Sequence, residues 1–302
     1  MLTDNTRGAL LMMASMAGFT LNDTFMKALS GDMPLFQVIF LRGIITTLAI
    51  GTMAWYVGAL HLRIPKSDRA LITLRMIAEI GSAYFFLTAL YNMPLANVSA
   101  IMQSLPLVVT LAAAMFFREP LGWRRMTAIL VGLCGVLLIV RPGTEGFSIF
   151  SVYALIAVAC VTVRDLVTRR VSGATHSMMV TFTTSLGLML AFGVASLGVE
   201  WVPLDIYRGS MILGAAFMVI FGYVFSVMVM RVGQISFVAP FRYTGLIFAL
   251  VLGWLVFGDW PAPLTLLGAG IVVGSGVFML YREAQLNRRI AAEAKLRTGI
   301  GH

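Results

Sequence analysis

Ten apolar runs, each about as long as a bilayer is thick, constrain this chain more than any motif in it. They can be drawn at 8–28, 35–58, 69–92, 95–116, 123–140, 148–169, 175–198, 209–231, 234–257 and 263–281. A helix rises about 1.5 Å per residue, so about 20 residues cross a hydrocarbon core of roughly 30 Å. Composition agrees: 59% hydrophobic and 12% charged residues, with a mean hydropathy of +0.92, leave too little polar surface for a water-soluble domain. The expected fold is an all-α integral membrane protein with ten transmembrane helices. The joints carry breakers such as Gly31-Asp32-Met33-Pro34, Asn92-Met93-Pro94 and Trp260-Pro261-Ala262-Pro263, and loops this short make successive helices antiparallel. The first run is too long, and at Asp23 too polar, for a cleaved signal, and is expected to be retained.

The chain also repeats itself. Residues 91–141 are echoed by 231–282: an apolar run ends in an acidic turn, Phe117-Arg118-Glu119-Pro120 and then Phe257-Gly258-Asp259-Trp260. A Gly-rich run follows in each copy, closing on Gly135-Val136 with Arg141 and on Gly276-Val277 with Arg282. Upstream, Asp23 falls on Asp165, Lys27 on Arg169, and Ser30-Gly31 on Ser172-Gly173. This divides the chain into a first five-helix repeat (1–142), a second (143–281) and a basic tail (282–302). An odd number of helices per repeat makes the second enter the membrane from the opposite side, an arrangement that lets one central site open alternately to either face.

Cations set the orientation. Arg7, the second gap (Arg63, Lys66, Arg69), the fourth (Arg118, Arg124, Arg125), the sixth (Arg169, Arg170), the eighth (Arg231) and the tail are cationic, whereas the other gaps offer only Arg141 and Arg208. Both termini are therefore expected in the cytoplasm, for a multi-pass protein of the cytoplasmic (inner) membrane. The net charge of +9 punctuates the gaps rather than clustering on one face, which argues against a nucleic-acid partner. The tail reads as a charged helix at an anionic lipid surface.

Several function classes lack their parts. Cys134 and Cys160 lie inside apolar runs, so neither a disulfide nor a metal or redox pair is expected. His61, His176 and His302 lie outside the spans with no HxxxH or HExxH spacing, so neither a metal, a cofactor nor an integral membrane enzyme is expected. No repeated carbonyl filter points to a channel. A non-transporting scaffold would have no use for deep charges, which cost at least about 2.5–3.5 kcal/mol each.

Such charges are present. Asp23 and Lys27 share a face of the first helix beside Asn22, and Asp23 lies about 22 Å above Gly8. Arg42 lies about 12 Å below the start of the second helix. Arg75 and Glu79 are one turn apart in the third, with Glu79 near the midplane; such acid–base pairs can also simply neutralise themselves. Glu79 and Asp23 are the proton-coupling candidates. Arg164 and Asp165, near the inner end of the sixth helix, read as interfacial or gating residues. Arg242 has no acid one turn away on its own helix, and with Tyr243 it is expected to face the cavity and meet the substrate's anionic group, opposite Asp23, Glu79 and Gln103. A structural salt bridge to Glu79 or Asp23 is the alternative. Pro106 and Pro240 are expected helix breaks in the fourth and ninth helices, whose polar residues line the pathway. Tyr84 could stack on a flat or cationic ligand. Deep cations (Lys27, Arg42, Arg75, Arg242) outnumber deep acids (Asp23, Glu79), favouring an organic anion or zwitterion.

The two halves, each closing on the acidic turn and a Gly-rich fifth helix, with Phe40-Leu41-Arg42 in the second helix and Leu74-Arg75 opening the third, resemble EamA-type members of the drug/metabolite transporter superfamily. The resemblance covers roughly residues 8 to 281. It implies secondary transport of a small organic metabolite, anywhere from amino acids and vitamins to nucleotide-linked compounds, in either direction. In the second half, helix 7 has no counterpart to Arg42, and helix 8 begins Tyr207-Arg208-Gly209 without a carboxylate like Glu79. Helices 5 and 10 carry the small-residue pairs Ala128/Gly132 and Gly270/Gly274 and read as scaffold. The resemblance implies that they pack together away from the substrate, with room for a homodimer contact.

Overall fold

The computed structural model describes residues 4–59, 64–118, 121–144, 147–172, 175–232 and 235–299. His61, Arg63, Glu119, Pro120, Gly173, Gly233, Gln234 and His302 lie outside the described residues, as do the side chains of Arg231, Ser236 and the tail beyond Gln285. Among the described residues the chain is all helix: α1 (Asp4–Ala28), α2 (Leu35–Tyr56), α3 (Lys66–Asn92), α4 (Leu95–Met102), α5 (Leu105–Phe117), α6 (Trp123–Val140), α7 (Ile149–Thr168), α8 (Ser177–Ser196), α9 (Ile206–Val232), α10 (Ile235–Val238), a 3-10 turn (Ala239–Tyr243), α11 (Thr244–Phe257) and α12 (Pro263–Gly299). Nine described stretches, α4 with α5 and the 3-10 turn with α11 each counting as one, are long and apolar enough to cross a membrane. The remaining helix, α1, is less apolar because it carries Asn22, Asp23 and Lys27.

The fourth apolar run is two helices. Gln103 and Ser104 form a turn between α4 and α5, Pro106 stands in the first turn of α5, and the Ser104 hydroxyl donates back to the Ile101 carbonyl at 2.7 Å. In the ninth run, Pro240 opens the 3-10 turn that separates α10 from α11. Proline removes an N–H donor and crowds the preceding turn, so the α-helical ladder cannot run through either point unchanged. Both acidic turns begin at a left-handed residue, Arg118 (φ 55°) after α5 and Gly258 (φ 69°) after α11. The charged tail is helical, and α12 continues unbroken past Arg282 into it, because no Gly or Pro follows until Gly299.

Helix packing follows one rule. α1 packs on α9 as α7 packs on α3; α2 packs on α8 and α6 on α12; α4 meets α11. α1 touches α11 as α7 touches α4 and α5, and α2 touches α9 as α8 touches α3. Exchanging the first five apolar runs with the last five reproduces these neighbours, although the lesser contacts of α1 with α3 and α4, and of α12 with α4 and α5, have no equally strong counterpart. Since lipid is as apolar as Leu, the contacts rest on close van der Waals approach. At the α6–α12 crossing a Cβ on Gly268 would stand 2.6 Å from the Gly135 carbonyl oxygen, and one on Gly135 would stand 2.8 Å from that of Gly268. Of the small-residue pairs noted in the sequence, Gly132 lies in this contact, against Leu107 and Ser275, whereas Gly270 and Gly274 are exposed on the far side of α12. The α1–α9 contact is similarly close at Gly18 and Gly222, and the Ser15 hydroxyl donates to the Gly222 carbonyl at 2.8 Å.

The two ends of the bundle are closed by different chemistry. At one, Met26, Leu29, Val38, Ile39, Leu87, Phe192 and Ile212 form an apolar cluster. At the other, Asp68 in the first turn of α3 is 2% exposed and accepts from the hydroxyls of Ser172 (2.6 Å) and Thr175 (2.7 Å), which join α7 to α8.

Candidate functional site

Between these ends, polar side chains from α1, α2, α3, α7 and α9 converge in two groups. In the first, Arg42 Nη1 donates to Asn22 Oδ1 at 2.9 Å, and Asn22 Nδ2 donates to Asp23 Oδ1 at 2.9 Å. Asn22 is buried at 5% exposure, while Arg42 and Asp23 are half-buried. Opposite charges thus stand on either side of one amide rather than in direct contact. The Tyr91 hydroxyl, within the field of Arg42, is buried without a hydrogen-bond partner among the described residues.

The second group joins α3 to α7 and α8. Glu79 accepts from Arg164 Nη1 at 3.2 and 3.4 Å, and Arg164 also holds Asp165 at 2.9 Å. Arg75, one turn before Glu79, turns elsewhere: Nε donates to Thr168 at 2.9 Å and Nη1 to Thr184. The expected self-neutralising Arg75/Glu79 pair is replaced by cross-helix bonds, since the neighbouring helices offer each group a better aligned partner.

Tyr223 links the groups. It lies about 25 Å into α9 from Ile206, yet is 47% exposed, and the charges of Glu79, Arg164, Arg42 and Arg75 all act on its hydroxyl. A side chain so deep, surrounded by charges from three other helices and still accessible, lines an internal cavity. Its ring meets Phe19 of α1 edge-on at 5.3 Å. Sequence reasoning missed Tyr223; its one signal was a hydroxyl, one turn from that of Ser226, in the otherwise apolar run from Met211 to Met230.

The remaining sequence candidates are placed as follows. Lys27 donates to the carbonyls of Leu90 (3.3 Å) and Met93 (2.7 Å) and sits over the Phe257 ring, satisfying the end of α3. Tyr84 packs against Phe36 and Phe85 at one edge of the apolar end cluster. Gln103 points its amide toward Gly245, where α11 begins. Arg242 is exposed and makes no hydrogen bond or ion pair among the described residues, so the structure does not bring it to Asp23, Glu79 or Gln103. Tyr243 turns away from that cluster: its ring is buried against Gly276 of α12. Two surface concavities, about 460 Å³ between α11 and α12 and about 700 Å³ between α2 and α8, are apolar and hold none of the charged groups. Among the described residues no His, Cys, Asp and Glu group could hold a metal ion.

The model of the EamA-like transporter family matches residues 6–141, the first of the two halves. Along nearly its whole length the chain is similar to the S-adenosylmethionine uptake transporter of Rickettsia felis, 23% identical over 285 residues, 91% of this chain and 92% of that protein. It is likewise 23% identical to the pseudopaline exporter of Pseudomonas aeruginosa over 273 residues, 88% of this chain and 93% of that one. The first half of the chain thus carries an EamA-like transporter domain, and both of these full-length relatives are transport proteins. A solved crystal structure shares this fold with a TM-score of 0.63 at 17% identity, covering 91% of this chain and 97% of that one. The protein is a multi-pass membrane transporter of a small molecule, and it is not an enzyme.

Proposed function

We propose that the chain carries a small organic anion or zwitterion across the cytoplasmic membrane by alternating access, as two inverted five-helix repeats (1–142 and 143–281) with both termini in the cytoplasm. The observation that carries this reading is the polar cluster of Arg42, Asn22, Asp23, Tyr223, Glu79 and Arg164, lying between an apolar end and a hydroxyl–carboxylate end of the bundle. The exchange symmetry of the helix contacts supports the repeat, and an odd number of helices in each supports its inversion.

Alternating access needs each end to open in turn. The apolar cluster opens by parting side chains, the polar end by trading hydroxyl–carboxylate bonds for water, and neither step requires breaking a helix. Asp205, which immediately precedes α9, the counterpart of α3, binds Arg208 of its own helix alone among the described residues, with the backbone N–H at 2.7 Å. This asymmetry supports a bundle with two states, of which the structure holds one.

Reconstitution tests the reading. Proteoliposomes holding the full chain, offered a small-metabolite extract, should accumulate at least one anionic or zwitterionic solute over protein-free liposomes by mass spectrometry. Accumulation of none would remove it. A reporter fused after His302 should be cytoplasmic in cells, and a periplasmic signal would overturn the topology.

A further inference from the structure

Arg42 and Asp23 are held apart by an amide whose two ends do different work. Asn22 Oδ1 accepts from the guanidinium as a carboxylate would, and Nδ2 donates to the carboxylate as an ammonium would. Asn22 thereby shows what the pair of charges recognises: an acceptor and a donor a few bonds apart. Each charge uses only part of its capacity on this bridge. Arg42 has further N–H donors and Asp23 a second oxygen, and none of these atoms is among the buried groups without a partner, so those left over open onto the cavity. No ion pair joins Arg42 to Asp23 among the described residues, so neither charge is cancelled by the other at contact.

We propose that Arg42 and Asp23, spaced by Asn22, form a two-point receptor for a solute whose ammonium and carboxylate share one carbon. The proposal rests on the transport reading above and narrows its substrate. With a hydrogen bond of about 2.8 Å at each end, such a head group needs its cation and anion partners no more than about 8 Å apart. One amide with two hydrogen bonds sets the same span. Arg42 presents a planar fork to the carboxylate and Asp23 a single oxygen to the ammonium. Tyr223 and Phe19 form the adjoining wall, where the rest of the solute lies. A solute with one charge engages only one of the pair and leaves the other with Asn22 alone, so the receptor discriminates by the charge-assisted contact such a solute forgoes.

The test uses the full chain in proteoliposomes and a panel of the twenty amino acids, each beside its N-acetyl derivative (anion only) and its amide (cation only). At least one amino acid is expected to accumulate, with at least about tenfold preference over both of its derivatives. Asp23→Asn should erase the preference over the N-acetyl form and Arg42→Gln the preference over the amide, while Asn22→Ala weakens uptake without changing which charges are required. A purely structural role would lower all three solutes together. If Arg42→Gln or Asp23→Asn fails to fold by size-exclusion profile, Arg42→Lys and Asp23→Glu take their place; they should keep the zwitterion preference, and its loss in a folded variant counts against the receptor. Equal accumulation of an amino acid and its derivatives overturns the proposal. So does accumulation of extract solutes with no amino acid among them, an outcome that leaves the transport reading intact, whereas failure to accumulate anything from panel or extract removes that reading itself.

Discussion

The Glu79 carboxylate and the Arg164 guanidinium meet at 3.2 and 3.4 Å, tying the middle of α3 to the C-terminal third of α7. Both side chains are mostly buried, at 19% and 24% exposure. In this setting a lone survivor of the pair costs more than the pair itself contributes.

A double-mutant cycle on Glu79→Ala and Arg164→Ala should therefore show each single change lowering the melting temperature and the double change recovering part of the loss, with a coupling of about 1–3 kcal/mol. Additive losses would show that the contact carries no energy. Because protonating Glu79 would release Arg164, Glu79→Gln should also lose uptake driven by a pH gradient while keeping exchange down a substrate gradient. A variant with full gradient-driven uptake would take Glu79 out of proton coupling.

Asp68 is expected to hold the α3–α7–α8 end shut. Cys160 of α7 is half-buried against α3 at Gly81, about 20 Å along α3 from Asp68, and it becomes reachable from that end only when the end opens, which makes it a reporter of opening once exposed Cys134 is replaced by Ser. Asp68→Ala should raise its maleimide labelling about tenfold, since two hydroxyl–carboxylate bonds are lost from one state only. An unchanged rate would mean that the bonds do not bias opening.

The α6–α12 crossing gives a steric contrast. Gly268→Ala places a methyl 2.6 Å from a backbone oxygen and should destabilise by about 1–3 kcal/mol, whereas Gly270→Ala, two residues on, meets nothing within 4 Å and should be silent. Thermal unfolding in detergent separates the two, and equal effects would mean that the helices do not cross at Gly268.

These contrasts mark what the residues disclosed by themselves. Hydropathy and breakers located the spans, since crossing a bilayer leaves little choice of element. The i,i+4 pairs misled in one respect: spacing along a helix says that Arg75 can reach Glu79, but not that Arg164 and Thr168 on α7 offer better geometry. Small-residue spacing likewise flagged α12 without telling which glycines face α6. Asn22, Asp23 and Arg42 were visible as deep polar groups, yet their junction across α1 and α2 depends on helix rotation, which a pattern repeating on two faces leaves open. Tyr223 gave almost no signal because a single tyrosine in a long apolar run is equally at home against lipid.

Arg242 separates local from tertiary reasoning. Its helix provides no acid one turn away, which pointed to a ligand; in the structure the side chain is exposed and unbonded among the described residues, at a 3-10 turn packed on α1, α11 and α12. A cation that reaches water or the membrane interface meets its own hydration needs without substrate. Arg242→Gln should leave both the stability, within about 0.5 kcal/mol, and the apparent affinity for the transported solute unchanged, while Arg42→Gln lowers that affinity at least about tenfold. Should Arg242→Gln instead lower affinity with stability intact, the anion site belongs at the Pro240 turn, and the cavity around Arg42 would have to be given a structural role.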